Sequence, residues 1–142
     1  MVRIQDVICG RDLFSVQVNQ SVADVARRMS ELRVGAILVL EDDELRGLFS
    51  ERDLMTRVVV ERRDPESTPV SVVMSTNLAT VEETATIEDA LECMTQHSCR
   101  HLPVTRGGRV SGFLSMRDLM LVELDRKTDE LHHLRSYVHG SA

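Results

Sequence analysis

The sequence predicts an α+β fold in which one strand, helix, strand, strand, helix unit is used twice and a helical extension follows. Three observations carry that prediction. The chain matches itself when slid by 65 residues; each half holds a capped amphipathic helix followed by two apolar runs joined through a two-residue turn; and 142 residues with 42% apolar side chains can bury a real core.

At the 65-residue offset Leu13 falls on Leu78, Val16 on Val81, Asp24 on Asp89, Met29 on Met94 and Val39 on Val104. Without a gap, Gly47 to Met55 then falls on Gly112 to Met120, with six of nine positions identical and two others exchanging Leu and Phe. In the first half, Asn19 or Gln20 followed by Ser21 caps a helix whose apolar positions Val22, Val25, Ala26, Met29 and Leu32 recur at helical spacing. Thr86 with Ile87, Ala90, Leu91 and Met94 repeats it. Ala36 to Leu40 and His101 to Val104 read as buried strands, Asp42-Asp43 and Gly107-Gly108 as hairpin turns, and Leu45 to Ser50 and Val110 to Ser115 as the returning strands. Asp53 and Asp118 fall in the first turn of the closing helix, where a carboxylate favours the helix dipole.

A half of this size is marginal alone, so the two halves are expected to share a core. The charged, Pro-bounded stretch Glu61 to Pro69 reads as the linker. The expected boundaries are residues 7–60 for the first unit, 61–70 for the linker, 71–122 for the second unit and 123–142 for a helical tail. In that tail Leu121, Leu124, Leu131, Leu134 and Val138 form a stripe, broken at Lys127-Thr128, that must pack on the body or on another subunit. His132, His133 and His139 read as surface histidines rather than metal ligands.

Composition narrows the function. With 23 acidic and 17 basic side chains the net charge is −6, and only three Phe, one Tyr and no Trp are present, which argues against a nucleic-acid binder. No apolar stretch approaches a membrane span, and Asp6 and Arg11 interrupt any signal-peptide core. Cys9, Cys93 and Cys99 are odd in number and lack a C-x-x-C pair; they fit a reducing, cytoplasmic setting as small buried apolar residues.

The twice-used pattern Gly-apolar-apolar-Ser-x-x-Asp, at Gly47 to Asp53 and Gly112 to Asp118, follows Ser21 to Met29 in one half and Arg100-His101-Leu102-Pro103-Val104 in the other. From about Val7 to Met120 the chain thereby resembles a tandem cystathionine-beta-synthase (CBS) domain pair, in the stand-alone bacterial style. The resemblance implies two βαββα units packed around a pseudo-twofold axis with two clefts that commonly hold adenine nucleotides. Carried over by motif, one cleft uses Leu48, Ser50, Arg52 and Asp53, and the other Phe113, Ser115, Arg117 and Asp118. The resemblance adds Val34, Gly35 and Ala36 from one half and Cys99, Arg100 and His101 from the other, with Ala79 or Phe14 beside the base. It also implies a flat homodimer.

The chemistry of the motif is sensible by itself. A ribose cis-diol presents two donors, a carboxylate can accept both, and an adjacent helix N-terminus favours anions, with Arg52 and Arg117 as bidentate phosphate donors. From spacing alone, Ser50 and Ser115 read more simply as helix caps; repetition and resemblance favour ligand contact. The halves are unequal, because Gly35 aligns with Arg100 and Ala36 with His101. The cleft holding Arg100 is therefore expected to bind a phosphorylated ligand more tightly, although His101 serves equally as a strand-start histidine. The hairpin tips differ as well, Glu41 to Glu44 being acidic and Arg106 to Arg109 basic.

No catalytic constellation stands out. Cys99, Ser98 and His101 lack an orienting third group, and there is no phosphate-binding Gly-x-x-x-x-Gly-Lys loop or dinucleotide fingerprint. The expectation is a non-enzymatic regulatory module, needing no cofactor, whose ligand is AMP, ADP, ATP, NAD or S-adenosylmethionine and whose shape is read by a target protein. The alternative is a ligand-independent dimerisation or interaction scaffold.

Overall fold

The computed structural model describes residues 2–140, with side chains through Tyr137. The elements run α1 (Ile4–Ile8), β1 (Ser15–Gln17), α2 (Val22–Leu32), β2 (Ala36–Glu41), β3 (Glu44–Ser50) and α3 (Glu51–Asp53, continued as a π-helix over Leu54–Val59). The second half repeats them as α4 (Val70–Val73), β4 (Val81–Glu82), α5 (Ile87–His97), β5 (His101–Arg106), β6 (Arg109–Ser115) and α6 (Met116–Gly140).

Local chemistry sets these bounds. Ser21 Oγ accepts from the Asp24 amide at 3.1 Å to open α2; Thr86 and Asp89 exchange reciprocal bonds of 3.1 and 3.0 Å to open α5. Both helices stop on a non-glycine left-handed residue at equivalent places, Arg33 (φ 58°) and Ser98 (φ 51°), whose amides return to the last turn. The hairpin tips take positive φ at Asp42, Asp43, Gly107 and Gly108, as two-residue turns require.

The strands form two three-stranded sheets, β1-β2-β3 and β4-β5-β6, each with one parallel and one antiparallel pair. Even the irregularity repeats. The antiparallel register shifts between Val39 and Leu40 in one sheet and between Val104 and Thr105 in the other, 65 residues apart.

The core is not shared as the sequence predicts. One apolar cluster gathers Val16, Val25, Ile37, Phe49 and Val58, and a second gathers Val81, Ile87, Met94, Leu102 and Leu114. The halves are joined by exchange. Ile4 of α1 is fully buried in the second cluster, while Val70 and Val73 of α4 complete the first. Matching amide bonds dock the two short helices: Ile4 N to Ala85 O (2.9 Å) and Gln5 N to Glu83 O (2.8 Å) on one side, Val70 N to Gln20 O (2.8 Å) and Ser71 N to Val18 O (3.2 Å) on the other. Neither half closes its own core, which is how two marginal units stabilise one another.

The tail is helical as the sequence predicts, and the helix runs on through Lys127-Thr128, where only the apolar stripe is interrupted; Thr128 Oγ1 donates to Leu124 O at 2.9 Å. Leu121, Leu124, Leu131 and Leu134 do not pack on the body but are exposed, and the side chains of Val138 and His139 lie outside the described residues. Against the expectation of buried cysteines, Cys9, just after α1, is exposed, and Cys93 of α5 and Cys99 before β5 are only half-buried, because they pack against the outside of the second cluster rather than within it.

Candidate functional site

Each Ser-x-x-Asp motif sits where a β-strand hands over to a helix. Ser50 Oγ accepts from the Asp53 amide at 3.2 Å, and Asp53 Oδ2 accepts from Ser50 N at 3.1 Å. Ser115 and Asp118 repeat the pair at 3.1 and 2.8 Å. The cap is real, and it fixes the rotamer of each carboxylate at a helix N-terminus. Capping and lining a cleft are therefore one arrangement rather than rivals.

Two clefts open beside these junctions. The first, of about 910 Å³, is lined by Leu48, Ser50, Arg52 and Asp53 of one half and by Cys99, Arg100 and His101 of the other, with Gly35. The second, of about 590 Å³, is lined by Phe113, Ser115, Arg117 and Asp118 facing Phe14, Val34, Gly35 and Ala36. Both volumes suit a small organic ligand. Ala79 lies in neither lining; it is half-buried against the second core.

The Leu/Phe exchange in the repeat gives the clefts different walls. Phe49 fills the first core and leaves Leu48 to the cleft, whereas Leu114 fills the second core and leaves Phe113 to the cleft. There Phe113 stacks on His101, ring centroids 5.4 Å apart and 21° from parallel. His101 lines both clefts. Burial pushes its pKa below the ordinary histidine value, only partly opposed by the carboxylates of Asp118 and Glu51 and reinforced by Arg100. Burial likewise pushes the Cys99 thiol up, with a smaller contribution from Cys93, so Cys99 is not primed as a thiolate nucleophile.

Several cleft residues escape the repeat. Ser75, just after α4, donates to Asp53 Oδ1 at 3.1 Å, and Arg57 Nε lies 3.6 Å from the same oxygen. In the second cleft Arg11 Nη1 meets Asp118 Oδ1 at 2.9 Å. Arg57 stands one helical turn after Asp53, a spacing legible in the sequence. Ser75 and Arg11 arrive from loops that the helix exchange carries across, which local spacing does not reveal.

At the tips, Arg46 pairs with Glu41 (3.3 Å) and Glu44 (3.0 Å), so the acidic turn is compensated on its own hairpin. No group of three or more metal-ligating side chains is found among the described residues, and no helix is long and apolar enough to cross a membrane.

The CBS-domain family model matches residues 4–60 and 70–125, the two halves joined at the linker. The chain belongs to the CBS-domain family. It is 34% identical over 114 residues to the CBS domain-containing protein YhcV of Bacillus subtilis, covering 80% of this chain and 81% of the relative. Among solved structures, the CBS-domain protein NE2398 superposes with a TM-score of 0.81 at 28% identity, covering 87% of this chain and 98% of that one. A CBS-domain protein from Burkholderia ambifaria MC40-6 assigned to signal transduction superposes with a TM-score of 0.77 at 33% identity over 82% and 89% of the two chains. CBS-domain pairs of this kind are generally regulatory or signal-transduction modules rather than catalysts.

Proposed function

We propose that this CBS pair is a regulatory module whose two clefts bind adenosine-containing nucleotides and whose shape reports their occupancy to a target protein. The observation that carries the reading is the pairing across halves: a capped Asp in one half faces the strand-entry loop of the other, with arginines beside it. Asp53 and Asp118 would accept the ribose diol while Arg52, Arg100 or Arg117 meets phosphate. A ligand touching both halves shifts their arrangement only by binding one arrangement better than another. Arg100, which has glycine as its counterpart in the other half, makes the first cleft the tighter one for phosphorylated ligands.

The exposed leucine stripe of α6 supports self-association, and we take the working unit to be a homodimer. Three cysteines without a disulfide among them fit a reducing, cytoplasmic compartment. Thermal unfolding against AMP, ADP, ATP, NAD and S-adenosylmethionine tests the nucleotide reading. Stabilisation is expected with at least one ligand and is reduced in Asp53→Ala and Asp118→Ala. No shift with any of them returns the protein to the scaffold reading.

A further inference from the structure

The two acidic hooks are guarded differently. At Asp53 Oδ1 the near partner is the neutral hydroxyl of Ser75 at 3.1 Å, with Arg57 Nε farther off at 3.6 Å, whereas at Asp118 Oδ1 the near partner is a guanidinium: Arg11 Nη1 lies 2.9 Å away, while Oδ2 accepts from Ser115 N at 2.8 Å. Serine can turn and either donate or accept, so an incoming hydroxyl joins the Asp53 network at little cost. Arginine only donates and stays charged. A diol that takes the place of Arg11 on Asp118 exchanges an ion pair for bonds from neutral hydroxyl donors and strands the Arg11 cation.

A ligand that brings its own anion does not face that exchange. Arg11 is on a loop, follows Gly10 in the left-handed region (φ 74°), and its side chain is 46% exposed, so it can turn without breaking core contacts. A half-exposed ion pair is worth little to the fold. Its weight falls on binding instead.

Resting on the nucleotide reading, we propose that Arg11 is a specificity residue of the second cleft, covering Asp118 against unphosphorylated nucleosides and moving to the phosphate of a phosphorylated one. The second cleft then discriminates by covering its acidic hook against the unphosphorylated nucleoside, whereas in the first cleft preference for phosphate rests on attraction by Arg52 and Arg100.

The test is calorimetric titration of the full chain with adenosine and with AMP, in an Asp53→Asn background that silences the first cleft. Arg11→Ala and Arg11→Gln are expected to bind adenosine more tightly, by about threefold, and AMP more weakly, by about tenfold, so that the preference for AMP falls about thirtyfold. Arg11→Lys keeps most of the preference. Thermal unfolding of each variant confirms that the fold is retained. Affinities that move together for both ligands, or do not move, overturn the assignment of Arg11. If the unmodified chain gives no heat with AMP, ADP, ATP, NAD or S-adenosylmethionine, the nucleotide reading fails and Arg11 with it.

Discussion

Met74 lies across Gly47 so closely that a Cβ built on the glycine would stand 2.5 Å from its sulfur and 2.9 Å from the carbonyl oxygen of Ser75. That approach is what lets Leu48 and Ser75 exchange backbone bonds of 2.9 and 2.8 Å, which places the Ser75 hydroxyl on Asp53. The motif glycine is needed for the chain crossing and, through it, for the first cleft. Its counterpart Gly112 faces the side chain of Ile8, whose flexible end Cδ1 would lie 2.5 Å away and whose Cβ and Cγ1 would lie 3.4 Å away.

Gly47→Ala is accordingly expected to destabilise by about 2–3 kcal/mol, because a backbone carbonyl must move. Gly112→Ala should cost about 1 kcal/mol or less, since Ile8 can change rotamer. Urea denaturation of the two variants checks the order. Equal costs would mean that the Ser75 crossing does not constrain Gly47.

Ile4 is close to the N-terminus, where single substitutions are usually tolerated, yet it is fully buried in the core of the other half. Ile4→Ala is expected to cost about 2–4 kcal/mol, as for an interior aliphatic residue. Deletion of residues 1–8 should lower the unfolding temperature far more than loss of a frayed end would. A change within about 0.5 kcal/mol for Ile4→Ala would contradict the exchange of α1.

The repeated elements were legible because each has a local cause: Ser21 and Thr86 caps, helical stripes, two-residue turns and the Ser-x-x-Asp junctions. The exchange was not. α1 and α4 are a single turn each, too short for periodicity to show, and their docking is a long-range choice made by Ile4, Val70 and Val73. The same non-locality hid Ser75 and Arg11 from the site. The helical tail was legible too: Lys127 and Thr128 lie on an exposed helix, where polar residues interrupt a stripe of side chains without interrupting the backbone.

His101 yields a pH dependence with a definite sign. Its folded-state pKa is lowered, chiefly by burial, so the unfolded chain binds the proton more readily. The stabilisation associated with neutral His101 is present above the ordinary histidine pKa of about 6.5 and is lost as pH falls from there through the lower folded value. Denaturation between pH 5 and pH 8 should show His101→Phe, which retains a ring against Phe113, losing less stability on acidification than the parent. Since the other histidines are common to both proteins, identical pH profiles would exclude His101 as the source. NMR titration of its ring protons should give a midpoint below about 6.5.

The family match ends at residue 125, but α6 continues to Gly140. Its 25 residues span about 37 Å at 1.5 Å per residue, and Leu131 and Leu134 in the outer part are more than half exposed. Near the base of the helix Arg126 reaches Glu88 of α5 and Glu123 of its own helix, both at 2.8 Å, and the stripe continues beyond that contact. If α6 pairs with a second copy, Leu131→Glu with Leu134→Glu should weaken the dimer at least about tenfold in sedimentation equilibrium, because two charges would be buried per chain. Dilution to the monomer should then show an unfolding temperature equal to that of the parent monomer, since neither leucine is part of either core. A variant that dimerises as tightly as the parent would move the interface away from the outer part of α6, to the exposed Met55 and Val59 and to their repeat counterparts Met120 and Leu124 at the base of that helix.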